Sequence, residues 1–269
     1  MNKILLIGCG HMGSALLKSW SSNTNFSFIV VDPHQYKGVN KKFKTKVKAY
    51  KSIHEVKDSK KISIVIFAVK PQVIEDVMKD IKNFNFKPKT IFISIIAGKK
   101  INFFKKYILK PSQLIRVMPN MPSLINQGMT CLFADKQVSK KNKRIVDTMF
   151  LNVGETLWLK KESDINKVTA ISGSGPGYVF LLIDAFEKAA IKLKLGEKET
   201  KKLIHQTFLG SILLLLKEKK PSSLLANNIA IKGGTTEAGL KQFKNKKILH
   251  DIFNKVVKAA YKKSIQLGK

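Results

Sequence analysis

Cysteine is nearly absent from this 269-residue chain, which carries only Cys9 and Cys131. Two thiols cannot build a disulfide framework or a four-cysteine metal site. No further Cys or His sits close in sequence to Cys9 and His11, so no metal site is expected. A reducing, cytoplasmic setting fits this cysteine usage. Acids are scarce too: 18 Asp and Glu stand against 50 Lys and Arg, a net charge of +32. A charge of that size raises the question of nucleic acid or an acidic membrane. Arginine, however, occurs only at Arg116 and Arg144. Readers of bases and phosphates favour arginine for its two-pronged fork. The lysines are instead scattered, as in Lys41-Lys42, Lys99-Lys100 and Lys201-Lys202, and read as a solvated surface. No specific nucleic-acid partner is expected, only weak adhesion to polyanions at low salt. Long apolar runs are missing as well. Ile64–Val69 and Ile212–Leu216 are among the longest, far short of the roughly 20 residues that span a bilayer. No membrane partner is expected. The opening reads as a strand entering a glycine turn rather than a signal peptide.

What is present is order. Hydrophobic residues make up 44%, enough for a globular core. Over the first 160 residues, short apolar runs alternate with helical spacing, which reads as a doubly wound, mainly parallel α/β sheet. Strands are expected at Ile4–Ile7, Phe26–Val31, Ile62–Val69, Thr90–Ile96 and Leu114–Met118, with Met129–Phe133 and Thr156–Leu159 completing the sheet. Helices are expected at Met12–Ser21, Val73–Ile81 and Ser139–Leu151. Ser52-Ile53-His54-Glu55 fits a capping box that opens a short helix. The pattern changes near residue 160. Tyr178–Leu195, Glu197–Lys219 and Ile248–Leu267 carry helical periodicity, and no strand is expected after Asp164. The chain therefore divides into an α/β domain (1–160) and an all-α domain (161–269). Ile212–Leu216 is apolar nearly all round, so its helix should be buried on several sides, in part by a partner subunit.

Gly8-Cys9-Gly10-His11-Met12-Gly13 is G-x-G-x-x-G, placed between an apolar strand and a helix. Gly8 makes the tight turn, Gly10 lets backbone approach a pyrophosphate, and Gly13 lets the helix pack on the strand. The helix start offers unpaired N–H groups to the anion. This is a dinucleotide signature, and His11 and Met12 belong to its loop. Asp32 ends the second strand, 19 residues after Gly13. An acid there accepts hydrogen bonds from the adenosine ribose and repels a 2′-phosphate, favouring NADH over NADPH. The same residue also suits an ordinary Asp-Pro turn, while His34 and Lys37 are available to an extra phosphate.

Three further segments fall at carboxyl ends of expected strands, where open parallel sheets bind ligands. They are Ala68-Val69-Lys70-Pro71, Ser94–Gly98 with Ala97 and Gly98, and Arg116–Asn120. Lys70 fits a surface lysine or a phosphate neighbour. Asn120 fits a carboxamide partner or a turn between prolines. Ser172-Gly173-Ser174-Gly175-Pro176 and Gly233-Gly234-Thr235-Thr236-Glu237 each precede a helix. Successive N–H groups at such starts form a nest for a carboxylate, and Ser or Thr there equally serves as an N-cap. Together with a nucleotide fold they point to a small carboxylate substrate.

These motifs, in this order and spacing, resemble pyrroline-5-carboxylate reductase across essentially the whole chain. The resemblance rests on Ile7–Gly13, Ala68–Pro71, Arg116–Asn120, Gly173–Pro176 and Gly233–Thr236. It implies a Rossmann domain, a helical domain, a homodimer or larger homo-oligomer, and reduction of L-1-pyrroline-5-carboxylate to L-proline by NADPH or NADH. It assigns the glycine loop, Ala68–Pro71 and Ser94–Gly98 to the dinucleotide, with Ser52 on the adenosine side and Asn228 as a further contact beside the Asn120 read above. It assigns Gly234, Thr235 and Thr236 to the substrate carboxylate and imine, Thr236 as the catalytic residue, with Glu218 and Ser174 beside the substrate. Two places depart from the family pattern. Ile231-Lys232 replaces a Ser-Pro, and Asp32 replaces the small hydroxyl residue common in NADPH-using members. Another reductase of the same build, an imine reductase or a β-hydroxyacid dehydrogenase, is the alternative; for the latter's catalytic lysine the chain offers Lys167, without the surrounding motif.

Overall fold

The computed structural model describes residues 2–22, 25–43, 47–57, 59–108, 112–244 and 248–268. Its strands are β1 (Asn2–Ile7), β2 (Phe26–Val31), β3 (Val47–Tyr50), β4 (Ile62–Phe67), β5 (Ile91–Ser94), β6 (Gln113–Met118), β7 (Gly128–Ala134) and β8 (Gly154–Trp158). Its α-helices are α1 (His11–Trp20), α2 (Tyr36–Phe43), α3 (Ile74–Lys82), α4 (Ile101–Lys105), α5 (Lys140–Leu151), α6 (Asp164–Val168), α7 (Gly175–Ile191), α8 (Glu197–Glu218), α9 (Ser222–Ile229), α10 (Thr235–Lys244) and α11 (Ile248–Gln266). The strands form one sheet in the order β3-β2-β1-β4-β5-β6-β7-β8. β1 through β6 are parallel, β7 runs antiparallel to β6, and β8 runs parallel to β7.

The apolar strand sequences follow from burial on both faces. Ile4 and Leu6 face one layer with Leu16, Leu17 and Trp20 of α1 and Phe150 of α5. Leu5 and Ile7 face the other, with Ile74, Met78 and Ile81 of α3 and Phe104 of α4. Alternate residues point to opposite faces, so a strand clad on both sides reads as one continuous run. Trp20 is fully buried, and its indole N–H donates to the Met149 carbonyl at 2.7 Å.

Because the order reverses at β1, the loops after β1 and β4 leave the sheet side by side and open a crevice at its carboxyl edge. The expected strands are present. β3 and α2 were not foreseen: β3 is a four-residue edge strand, and lysines obscure the apolar positions of both. Ser172–Pro176 leads into a helix as expected, α7 beginning at Gly175, but it does so from a helical turn. Thr169–Gly173 forms a π-helical turn between α6 and α7, and the Ser174 N–H donates to the Thr169 carbonyl at 2.8 Å. That N–H is engaged within the turn and is not open to a carboxylate.

The chain separates into two compact units, Met1–Pro176 with Ala260–Lys269, and Gly177–Ala259. The second is helical, and among its described residues only Thr200 and Ile204 are buried. Within one chain Ile212, Leu213 and Leu216 are 55%, 56% and 66% exposed. The expected burial of that helix is thus not provided by its own chain.

Candidate active site

β1 delivers Gly8 into a left-handed turn at φ +92°. A Cβ at Gly8 would lie 2.7 Å from the Ala68 backbone, and one at Gly13 would lie 2.5 Å from the Gly8 carbonyl. Those positions are filled by the fold. Gly10 differs, for nothing lies within 4 Å of where its Cβ would be. Gly10 also caps α1 without any side-chain bond. The first amides of α1 therefore lie beside open space, the arrangement a pyrophosphate needs. His11 at this helix start is exposed, and Met12 packs against the core.

A cavity of about 600 Å³ lies next to this loop. Gly8, Gly10, Asp32, Ser52, Ala68, Val69 and Lys70 line it. So do Pro33, His34, Gln35, Lys51 and one face of the α3 region. Asp32 is 8% exposed. Its Oδ2 accepts from the Cys9 N–H at 2.7 Å, and its Oδ1 accepts from the His34 and Gln35 N–H groups at 2.9 Å. It thus caps the Asp-Pro turn and ties that turn to the glycine loop while still lining the cavity. Burial, with Asp32 as a further cause, pushes the Cys9 thiol up to about 11. The thiol is therefore protonated and unreactive at neutral pH. Ser52 accepts from the His54 N–H at 3.3 Å, and Glu55 accepts from the Ser52 N–H at 2.8 Å, completing the capping box. The Ser52 hydroxyl proton is not consumed by that bond.

Further along the carboxyl edge come the loops after β5 and β6. Gly98 is buried at φ +84°. Asn120 is 8% exposed; its Oδ1 accepts from Met129 N–H at 2.8 Å and its Nδ2 donates to the Ser172 carbonyl at 3.0 Å. Asn120 therefore pins β7 to the π turn. Pro71, Ala97, Gly98, Asn120, His11, Met12 and Gly13 are not among the residues lining the cavity.

In the helical unit, α10 begins at Thr235 inside the Gly233–Glu237 motif. The Gly233 N–H is held by Glu237 Oε2 and the Gly234 N–H by the Ile231 carbonyl, both at 2.9 Å. The amides of Thr235, Thr236 and Glu237 stand at the helix start, where no earlier turn supplies carbonyls. Thr236 is half-buried. Glu218, at the end of α8, pairs with Lys220 at 2.7 Å, and Asn228 is exposed on α9.

Comparison with known proteins bears on this arrangement. Residues 162–267 match the family described as pyrroline-5-carboxylate reductase dimerisation, and residues 3–98 match NADP oxidoreductase, coenzyme F420-dependent. The pyrroline-5-carboxylate reductase of Haemophilus influenzae is 33% identical over 243 residues, 89% of this chain and 88% of that protein. This chain belongs to the pyrroline-5-carboxylate reductase family.

Solved structures agree. Pyrroline carboxylate reductase of Plasmodium falciparum, with NADP bound, superposes with a TM-score of 0.87 at 29% identity, covering 100% of this chain and 98% of that one. The Coxiella burnetii pyrroline-5-carboxylate reductase gives 0.87 at 30% identity, covering 99% and 98%. Val73, Asp76, Val77 and Asp80 are among the cavity residues that motif reading missed, as are Gln35 and Lys51. The i, i+3, i+4, i+7 spacing of the first four marks one helix face, and that spacing after Lys70-Pro71 was the available signal. Lys167, the base of a hydroxyacid dehydrogenase reading, is 61% exposed and paired with Asp164 at 2.7 Å.

Proposed function

We propose that this chain reduces L-1-pyrroline-5-carboxylate to L-proline with a nicotinamide dinucleotide as reductant. The observation that carries the nucleotide half is the open cradle at Gly10, at the start of α1 and beside the cavity. When bound, the cofactor supplies the hydride that reduces the C=N bond. The glycine loop then holds the pyrophosphate on the α1 amides, Ser52 and Asp32 meet the adenosine side, and Ala68–Pro71 with Ala97, Gly98 and Asn120 lie toward the nicotinamide. Asn228 is a further contact. In the helical unit the first amides of α10 hold the substrate carboxylate, with Gly234 and Thr235 shaping the turn. Thr236 hydrogen-bonds the ring nitrogen and keeps the protonated imine oriented, and Glu218 of the same unit flanks it; Ser174 is a further substrate contact. The net change is imine plus NAD(P)H plus one proton to secondary amine plus NAD(P)⁺. The protein contributes mainly orientation.

NADH is the preferred cofactor in this reading. Asp32 is supported in that role by its buried place in the cavity wall, nearest the glycine loop. A 2′-phosphate would meet like charge there. The exposed apolar face of α8 is covered by a second copy of the chain in a homodimer, the state in which the enzyme works.

Incubation with pyrroline-5-carboxylate and NADH or NADPH in parallel tests the reading. NADH oxidation matched by proline, faster than with NADPH, is expected. Binding of either cofactor without any proline would turn the search to other cyclic imines.

A further inference from the structure

The loop between β5 and α4 is held by more than its own turn. The Ile95 N–H donates to the Phe67 carbonyl at 3.1 Å, and the Ile96 N–H to the Ser94 hydroxyl at 3.3 Å. At the far end the Ile101 N–H donates to Glu162 Oε1 at 2.7 Å. The same oxygen accepts from Arg116 Nη1 at 3.1 Å. The Arg116 side chain is 3% exposed and its Nη2 is buried without a partner. Burial pushes the guanidinium pKa down, against the opposing pull of Glu162. A buried cation with one anionic partner fixes that partner firmly, because separation would leave an uncompensated charge. Glu162 is therefore anchored by β6 and in turn anchors the end of the loop.

A second hold comes from the turn that ends α11. A Cβ on Gly98 would lie 2.8 Å from the Gly268 nitrogen, and one on Gly268 would lie 2.5 Å from the Gly98 carbonyl. Ser264 of α11, 3% exposed, donates to Asn166 of α6 at 3.0 Å. The loop is thus gripped from β6 through Glu162 and packed by backbone at Gly98.

We propose that Arg116 and Glu162 are positioning residues for the nicotinamide half of the cofactor, acting through residues 95–101, with Gly268 as a backbone stop behind Gly98. This rests on the reading above that the loop takes the nicotinamide end. The adenosine end is served by a different wall, at Asp32 and Ser52. Loosening the grip should therefore separate the two halves of the ligand. A shift of about 1 Å in a reacting group can cost on the order of a hundredfold in rate.

The test compares ADP-ribose, which lacks nicotinamide, with NADH, using calorimetric binding to the full chain. Three variants are compared with the parent: Glu162→Gln, Arg116→Lys and Gly268→Ala. Glu162→Gln keeps an acceptor for Ile101 and loses the charge. ADP-ribose affinity should stay within about twofold, NADH should bind about tenfold weaker, and kcat at saturating NADH should fall about tenfold or more. The KM for the imine should change least. Gly268→Ala leaves the ion pair intact and carries the test if the other two fail to fold. Equal weakening of ADP-ribose and NADH would make the pair a fold-stabilising contact and overturn the proposal. Unchanged NADH affinity and kcat would overturn it too. Absence of pyrroline-5-carboxylate reduction by the parent would instead reject the reaction, with the loop's role still read from the two binding constants.

Discussion

At the residue scale, Asp32 has two duties. Its oxygens hold three backbone N–H groups and line the cavity beside the glycine loop. Asp32→Ser removes the charge that opposes a 2′-phosphate. Like charges brought together at a binding surface cost several kcal/mol, so the NADPH-to-NADH ratio of kcat/KM should rise about tenfold or more. The melting temperature should fall in the same variant, because the Cys9, His34 and Gln35 amides lose their acceptor. Thr236→Ala should lower kcat about tenfold or more with cofactor affinity unchanged, as expected for one hydrogen bond lost at the reacting nitrogen. Thr236→Ser should restore most of it. Unchanged turnover in Thr236→Ala would remove Thr236 from that role.

Cys9 carries a pH prediction. Its thiol is raised from 9.0 to about 11 in the folded chain. The folded state keeps a proton that the unfolded state releases first, so this contribution is full below pH 9.0 and is lost as pH rises toward 11. Cys9→Ala should show a shallower fall in urea midpoint than the parent across that window. Parallel falls in the two proteins would show that the thiol is not shielded.

At the element scale, the sheet was legible because doubly covered strands leave continuous apolar runs. Ile62–Phe67 is such a strand, with four of its six residues at the end fully enclosed. The glycine loop was legible because each glycine answers a different steric demand. β3 was not: Val47 and Ala49 face inward but Lys48 is exposed, and two inward residues are too few to set a period. Ser172–Pro176 was legible as a helix start, since α7 begins at Gly175, but the π turn before it, closed by the Thr169 carbonyl, leaves no mark in the residue types. The α3 face of the cavity was hidden because Asp76 and Asp80 read as ordinary solvent-facing acids. Ser52 was legible twice over, as cap and as cavity wall. Ser52→Ala should cost about 1 kcal/mol of stability through the lost cap, measured by urea denaturation, and should weaken NADH binding as well. Loss of stability alone would confine Ser52 to the cap.

At the scale of the whole molecule, the helical unit has little core of its own. Each fully buried leucine or isoleucine side chain is worth about 1.5–3 kcal/mol, so covering Ile212, Leu213 and Leu216 with a second copy is a strong drive to pair. Leu213→Asp should shift sedimentation from dimer to monomer and reduce turnover with it. A monomeric parent with full activity would refute the dimer reading. The surplus of lysine belongs to this scale too. It is spread along the sequence rather than gathered at the cavity, which carries Lys51 and Lys70 against Asp32, Asp76 and Asp80.

The most direct measurement follows the hydride itself. The chain is supplied with pyrroline-5-carboxylate and NADH deuterated at both C4 positions, and the proline formed is weighed by mass spectrometry. Direct transfer to the imine carbon predicts proline heavier by one deuterium, located on the ring carbon next to nitrogen and remote from the carboxylate. Unlabelled proline, or cofactor oxidised with no proline formed, would contradict it.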